Sequence, residues 1–432
     1  MATTRRVIEL CDGTWCGRET NTISNINILS RIIGINLTAN PAVYTLLTGD
    51  VCARYFDGVG LGSDFMNYLW NGAFMMQTAS VYTEVWLFGI SRGAYIVRSV
   101  GGMINKCGII QNQANEVLID QVYDIYRSPH LPSSPEMIQF RANGSYAVRS
   151  PIKFMGIFNT VGSRGVPRLN YHTGSGFEWP ESHDNIVSTA VEKLYHAVAM
   201  HDRFWAFQPC LASRKPRQAG VVAPVNFKIR QMWFPGCHYD IARQELQFLR
   251  EGGTRLEKTL FPILHIFSNT VYPNEKLADL VLLWMLQGIN AEGGGTIVRQ
   301  NTAGNTSNIA TEIINIQALI TTKSNGIGDV YDNILTYLPG GQLFSTLVTW
   351  WKNLNKTAYA ILFEPVDRWI PDPGIGNGIA ALVWNQVYHY TRADSDIGGN
   401  VIEKIADVQS PQYPSQSYQN YLTYMAAVGW QA

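Results

Sequence analysis

Three residues of this sequence have types and settings suited to nucleophilic acyl chemistry: Ser91, Asn159 and His238. Ser91 lies in Gly89-Ile90-Ser91-Arg92-Gly93, after the apolar run Val85 to Phe88 and before a helical pattern that runs towards Lys106. A G-x-S-x-G between a strand and a helix is a nucleophile elbow, in which a strained turn holds the serine hydroxyl at its apex. Glycines flank such a serine because a Cβ would clash with neighbouring backbone. The helix that follows points its N-terminus at the reacting centre, where developing negative charge is favoured. The pentapeptide alone is common, and the competing reading is an ordinary turn whose serine caps a helix.

A serine hydroxyl is a poor nucleophile until a histidine takes its proton, and that histidine needs a carboxylate to fix its tautomer and stabilise the imidazolium. His238 follows the apolar run Phe227 to Phe234, in Pro235-Gly236-Cys237-His238-Tyr239-Asp240. Asn159 follows Ile152 to Phe158, so an amide stands where the carboxylate belongs. Nucleophile, acid and histidine in that chain order is the order of α/β-hydrolases. Should Asn159 lie far from His238, Asp202 or Asp240 becomes the candidate acid.

The backbone N–H of Arg92, just after the nucleophile, is the expected oxyanion donor. A second donor is expected from the Gly13–Thr14 turn or from Gly58–Gly60. Asp12, Asp57 and Tyr239 are candidate substrate contacts, although Asp12 and Asp57 each precede glycine and turn formation explains them equally well. Asp240 suits a helix cap. His196 reads as a buried structural histidine on an apolar helix face. Asp12, Asp57 and Asp240 have no spacing that demands Mg²⁺ or Ca²⁺, so neither metal nor cofactor is expected.

These residues require a set of strands ending along one sheet edge, where open α/β sheets place their sites. Strands are expected at Arg6 to Leu10, from Ala53 towards Asp57, at Val85 to Phe88, at Ile152 to Phe158 and at Phe227 to Phe234. Helices are expected from near Ser24 or Asn25, over residues 62 to 82, after the elbow, and over 111 to 127, 186 to 200, 243 to 250 and 277 to 286. Residues 128 to 150, rich in Ser and Pro at their start, read as a surface connection, and 163 to 185 as a long loop. Residues 291 to 308 read as a mobile surface loop. The expected fold is α/β-hydrolase-like, a predominantly parallel sheet flanked by helices. Residues 1–290 form the catalytic domain in this reading, and 291–432 an irregular helical cap packed on it.

Length and composition are enough for a large core, in one big domain or two, since 46% of 432 residues are hydrophobic. Lysine plus arginine and aspartate plus glutamate both number 33, so charge gives no support for nucleic acid as a partner. Six cysteines without a C-x-x-C suggest a reducing compartment, and a cytoplasmic location is the expectation. No apolar run reaches the length of a transmembrane segment.

Seven ordered motifs between about residues 5 and 290 make the chain resemble the catalytic domain of the type VI secretion lipase effectors, the Tle-type α/β-hydrolase-like family. They are Asp12-Gly13-Thr14-Trp15, Asp57 to Gly60, the elbow Gly89 to Ala94 with Arg98, and Phe158-Asn159-Thr160-Val161-Gly162 with Gly165 and Pro167. His196-Ala197-Val198 with His201-Asp202-Arg203, Trp233 to Asp240, and Leu277 to Met285 complete the set. The resemblance implies a Ser-Asp-His triad, carried onto Ser91, position 159 and His238, and esterase or phospholipase activity on lipids. Two departures stand out. The family's aspartate is Asn159, and its glycine run after the histidine motif is replaced by Ala242, Arg243 and Gln244.

Three functions therefore compete. One is a serine hydrolase acting on a small-molecule or lipid acyl substrate, weakened or inactivated by Asn159. The others are a non-hydrolytic enzyme on the same scaffold, and a pseudoenzyme that binds a lipid or a partner.

Overall fold

A computed structural model describes residues 5–13, 16, 22–37, 45–48, 50–58, 83–111, 121–122, 124–126, 128–147, 151–161, 168–169, 177–178, 187–202, 210–212, 227–247, 270–271, 273–297, 308–323, 366–367, 391–395, 401–405, 407–408, 418–419, 422 and 426. The principal elements are β1 (Arg5–Cys11), α1 (Asn25–Ile33), β2 (Thr45–Thr48), β3 (Val51–Phe56), β4 (Thr83–Ile90), α2 (Arg92–Cys107), α3 (Pro135–Gly144), β5 (Ile152–Phe158), β6 (Val191–Ala199), β7 (Lys228–Phe234), α4 (His238–Ala242), α5 (Glu275–Ala291), α6 (Ile309–Thr322) and β8 (Asp407–Val408).

The strands form one eight-stranded sheet in the order β8-β7-β6-β5-β4-β1-β3-β2. Every pairing is parallel except that of β2 with β3. Helices on both faces bury the central strands, so their apolar residues run on without a polar side. Alternate residues serve two cores. Ile8, Leu10, Trp86, Phe88 and Phe154 meet α1, α5 and α6, while Val85, Leu87, Met155 and Ile157 meet α2. On the first face Trp86, Phe154 and Tyr195 stack at centroid distances of 5.5 and 5.0 Å.

Register brings the strand ends level. Cys11 pairs with Phe56 and Gly89, Ile90 with Phe158, Phe158 with Ala197, and Ala199 with Phe234. The residues that follow therefore share one carboxyl edge: Asp12, Asp57, Ser91 and Asn159, with His238 a short turn beyond β7.

Local chemistry sets the helix starts. Ser24 Oγ accepts the Asn27 N–H at 3.0 Å, Asn274 Oδ1 the Leu277 N–H at 3.1 Å, and Asn308 Oδ1 the Thr311 N–H at 2.9 Å. α1 ends at Gly34, whose φ of 107° is the left-handed region that glycine enters without strain.

Several sequence expectations are corrected. Residues 187–200, the described part of the helix expected over 186–200, do not form a helix. Val191–Ala199 is a strand in the interior of the sheet, so His196 lies on a strand and not on a helix face. Nor do residues 243–247, the described part of the helix expected over 243–250, form a helix. The short α4 precedes them, and Leu246–Gln247 pairs antiparallel with Thr270–Val271. Residues 128–150 contain α3, which starts at Pro135 after the Ser134 cap. α5 agrees with the expected 277–286 and extends it at both ends. The helix expected over 62–82 lies outside the described residues. So does most of 111–127, of which 121–122 and 124–126 are helical. In 291–308, Gly294–Thr296 forms one 3-10 turn. Beyond it α6 packs on α5, and the described C-terminal residues also include β8 and the hairpin Thr391–Ser395 with Val401–Ile405.

Candidate active site

The elbow is built as its glycines demand. A Cβ on Gly89 would lie 2.5 Å from the Gly93 carbonyl oxygen, and one on Gly93 would lie 2.2 Å from that of Cys11 and 2.4 Å from that of Asp12. Helix α2 can approach the ends of β1 and β4 only without those atoms. Ser91 itself has φ 56° and ψ −123°, a conformation that costs an L-residue on the order of 1–3 kcal/mol. Its N–H donates to the Phe158 carbonyl at 2.9 Å, and its carbonyl accepts the Val161 N–H at 3.2 Å. The elbow is thus laced to the strand end that carries Asn159.

Ser91 is buried, and it precedes α2 without capping it through its side chain. Its Oγ makes no hydrogen bond at all. A buried hydroxyl left unsatisfied costs about 1–3 kcal/mol, so the arrangement calls for an explanation other than packing or capping.

Asn159 is wholly buried, with φ 36°. Its N–H donates to the Ala197 carbonyl at 2.7 Å. The side-chain amide reaches two groups: Oδ1 accepts the Ala199 N–H at 3.1 Å, and Nδ2 lies 2.6 Å from His238 Nδ1. The strand-end alignment therefore brings Asn159 and His238 together as expected from the sequence. His238 and Ser91 are not hydrogen bonded to each other, since Ser91 Oγ has no partner.

His238 opens α4, and four hydrogen bonds seat that short helix among its neighbours. Asp240 Oδ2 accepts the Cys237 N–H at 3.1 Å, and Oδ1 accepts the Asn274 N–H at 2.9 Å. Asn25 Nδ2 donates to both the Ile241 and the Ala278 carbonyls at 3.0 Å. Tyr239 is buried, with its ring edge-on to His238 at 6.0 Å. Asp240 is thus a capping residue, as the sequence suggested. Arg243 stands where the family's glycine run would be and keeps the left-handed φ of 57°. It is held there by Asn25 Oδ1 at 3.1 Å and by an ion pair with Asp279.

The other expected site residues divide. Asp12 is buried beside the elbow, but three donors occupy its carboxylate: the Gly13 N–H on Oδ1 at 2.7 Å, with Ser24 Oγ at 2.7 Å and the Tyr55 hydroxyl at 2.6 Å on Oδ2. Burial raises its pKa from the ordinary 3.8 to about 6 against the pull of those donors, and the charge of Asp57 adds to the rise. Gly13 abuts the nucleophile, since a Cβ there would lie 3.4 Å from Ser91 Cβ, yet its N–H is committed to Asp12. Thr14 and Gly60 lie outside the described residues. Arg92 is the first residue of α2, where backbone N–H groups have no partner within the helix, and burial draws its guanidinium below the ordinary value. Asp202 pairs by backbone with Val366, and its side chain lies outside the described residues.

His196 is a structural histidine. Nε2 accepts the Thr160 N–H at 3.3 Å, and Nδ1 meets Gln231 Oε1 at 3.0 Å, which fixes the proton on Nδ1. Burial, then the nearby charge of Arg98, lowers its pKa to about 3, so the ring is neutral. Among the described residues no group of three or more His, Cys, Asp or Glu could hold a metal ion. No helix among them is long and apolar enough to cross a membrane.

Sequence reasoning missed the groups that hold the site from behind, namely Ser24, Asn25, Tyr55 and the Ala199 N–H. Ser24 was readable as a cap. The tie of Tyr55 to Asp12 follows only from the pairing of β1 with β3.

An uncharacterized protein of Saccharomyces cerevisiae is 29% identical over 103 residues, which cover 22% of this chain and 15% of that protein. The crystal structure of an uncharacterized protein from Pseudomonas aeruginosa aligns with a TM-score of 0.37 at 12% identity, over 98% of this chain and 66% of the other. The chain thus spans a small part of the yeast protein and about two thirds of the bacterial one. The model of the T6SS phospholipase effector Tle1-like catalytic domain matches residues 5–288. With its mostly parallel α/β sheet and a match over well more than half its length, the chain belongs to this Tle1-like phospholipase family of hydrolases.

Proposed function

We propose that the domain is a serine hydrolase of the esterase and phospholipase type, attenuated by Asn159. Ser91 attacks the acyl carbon, His238 takes the hydroxyl proton and returns it to the leaving oxygen, and Asn159 orients the imidazole. The Arg92 N–H, in the first turn of α2, supplies the principal oxyanion donor. Thr14 is the second candidate, because Gly13 has given its N–H to Asp12. Asp12 and Asp57 shape the edge on which a lipid acyl group would lie, and Tyr239 backs the imidazole. None of the six cysteines is joined in a disulfide, which supports a cytoplasmic location.

The observation that carries this reading is the strained, buried Ser91 whose hydroxyl neither caps its helix nor bonds to anything. In a molecule without catalytic use for it, alanine or glycine would serve better at that position. A fluorophosphonate probe is expected to label the wild type at Ser91, and Ser91→Ala is expected to lose both labelling and ester turnover while keeping its fold. Undiminished turnover of p-nitrophenyl esters by folded Ser91→Ala protein would remove Ser91 from the mechanism.

One contact favours a second reading, in which the site binds a lipid or a partner without turnover. The amide of Asn159 carries no charge with which to stabilise an imidazolium. Absence of labelling together with measurable binding to phospholipid vesicles would select that reading. A third reading keeps the scaffold and His238 for non-hydrolytic chemistry. Product masses lacking the addition of water would identify it.

A further inference from the structure

We infer that the backbone N–H of Ala199, acting through Asn159, holds resting His238 as its Nε2–H tautomer, so that the imidazole presents a donor and not a base on the side away from Asn159. The inference rests on the hydrolase reading only for its consequence in turnover. The tautomer itself follows from the contacts.

An asparagine amide has one accepting and one donating end, and which end faces which partner is settled by the network around it. Here one partner leaves no choice. A backbone N–H only donates, and that of Ala199, the last residue of β6, lies 3.1 Å from Asn159 Oδ1. The oxygen must face Ala199, and the amino group must then face His238, where Nδ2 lies 2.6 Å from Nδ1. A ring nitrogen that receives a hydrogen bond from an N–H carries a lone pair and no proton. In a neutral imidazole the proton is then on Nε2.

A carboxylate at the same position would behave differently. Both of its oxygens accept, so one would keep the Ala199 N–H and the other would take a proton from Nδ1. That arrangement leaves Nε2 with the lone pair that a general base needs. With asparagine the base-competent tautomer requires the amide to turn, so that Oδ1 accepts the Nδ1–H while the amino group is set against the Ala199 N–H. All four groups are buried or nearly so, and water offers no compensation. Ala199 is thus a positioning residue that acts through Asn159, and hydrolysis draws on a minor tautomer. Two opposed buried donors hold that minor form down by on the order of thirtyfold or more.

Long-range ¹H–¹⁵N correlation spectra of protein labelled at histidine, with His238→Gln to assign the signals, read the tautomer directly. The expected wild-type pattern is a pyridine-type Nδ1 and a pyrrole-type Nε2. In Asn159→Asp the expected pattern has Nδ1 protonated. A protonated Nδ1 in the wild type overturns the inference, and so does an unchanged Nε2–H pattern in a folded Asn159→Asp protein. Neither spectrum depends on turnover. Undiminished ester hydrolysis by Ser91→Ala would defeat the hydrolase reading and leave the tautomer standing. A protonated wild-type Nδ1 with active Ser91 would do the reverse.

Discussion

Replacing Asn159 by aspartate is expected to raise ester hydrolysis by two to four orders of magnitude with little change in fold. The side chains have the same shape, and the carboxylate inherits both partners, Ala199 N–H at 3.1 Å and His238 Nδ1 at 2.6 Å. The gain can be worked from those contacts. In the asparagine form the base-competent tautomer sets two buried donors, the Ala199 N–H and the Asn159 amino group, against each other, at about 1–3 kcal/mol each, or about 2–6 kcal/mol together. At about 1.4 kcal/mol per decade that spans roughly one to four decades of rate. The new negative charge also stabilises the imidazolium that forms as Ser91 loses its proton. The serine-protease template, in which the reverse change costs about 10⁴ in kcat, bounds the total. An increase on the order of 10²–10⁴ follows, and it should fall on kcat more than on KM because the charge acts on the transition state. Both forms would be assayed on short-chain p-nitrophenyl esters and on phospholipid vesicles, with circular dichroism to confirm folding. Equal and substantial activity in both would refute the reasoning, because it would show that another acid serves His238. Silence in both, with Ser91 unreactive to a fluorophosphonate, would favour binding over hydrolysis.

Three further outcomes are expected. Ser91→Gly should abolish turnover and stabilise the fold by about 1 kcal/mol, as relief of backbone strain and of a buried unsatisfied hydroxyl outweighs the greater freedom of glycine in the unfolded chain. A loss of stability on urea denaturation would count against a strained elbow. Gly93→Ala should cost about 3 kcal/mol, because its Cβ would meet the Cys11 and Asp12 carbonyl oxygens at 2.2 and 2.4 Å. A melting temperature within a degree of the wild type would contradict that packing. Asp12 keeps its proton to higher pH when folded, about 6, than the ordinary 3.8, so it favours the folded state at low pH and that advantage is lost as pH rises between those values. Asp12→Asn should remove this slope, gaining up to about 3 kcal/mol on the wild type between pH 4 and pH 7, and an equal difference at both pH values would exclude a raised Asp12.

The carboxyl edge was legible because each site residue follows an apolar run. Asp12, Ser91, Asn159 and His238 could be placed on strand ends without knowing the strand order, and parallel pairing with level register then collected them. Two kinds of information were hidden. The strand Val191–Ala199 does not announce itself as one because it is buried on both faces, and its apolar residues follow neither an alternating nor a clean helical period. The orientation of the Asn159 amide was hidden for a different reason. It is fixed by a main-chain donor, and every residue type carries that donor, so no side-chain pattern announces it. The commitment of the Gly13 N–H to Asp12 was hidden in the same way.

Asn25 joins α1 to the carbonyls of Ile241 in α4 and Ala278 in α5, contacts that bridge 216 and 253 positions along the chain. Such separations carry a large loop-closure entropy and slow the step that makes them. As the chain leaves the ribosome, β1, β4 and the elbow can pair while the histidine arm has nothing to rest on. Asp240 waits for Asn274, and Asn25 waits for Ala278. A nascent or truncated chain ending before residue 274 would present the serine turn with His238 unseated. The reactive pair is therefore seated only after the start of α5 has been made, later than the strand ends that carry Ser91 and Asn159.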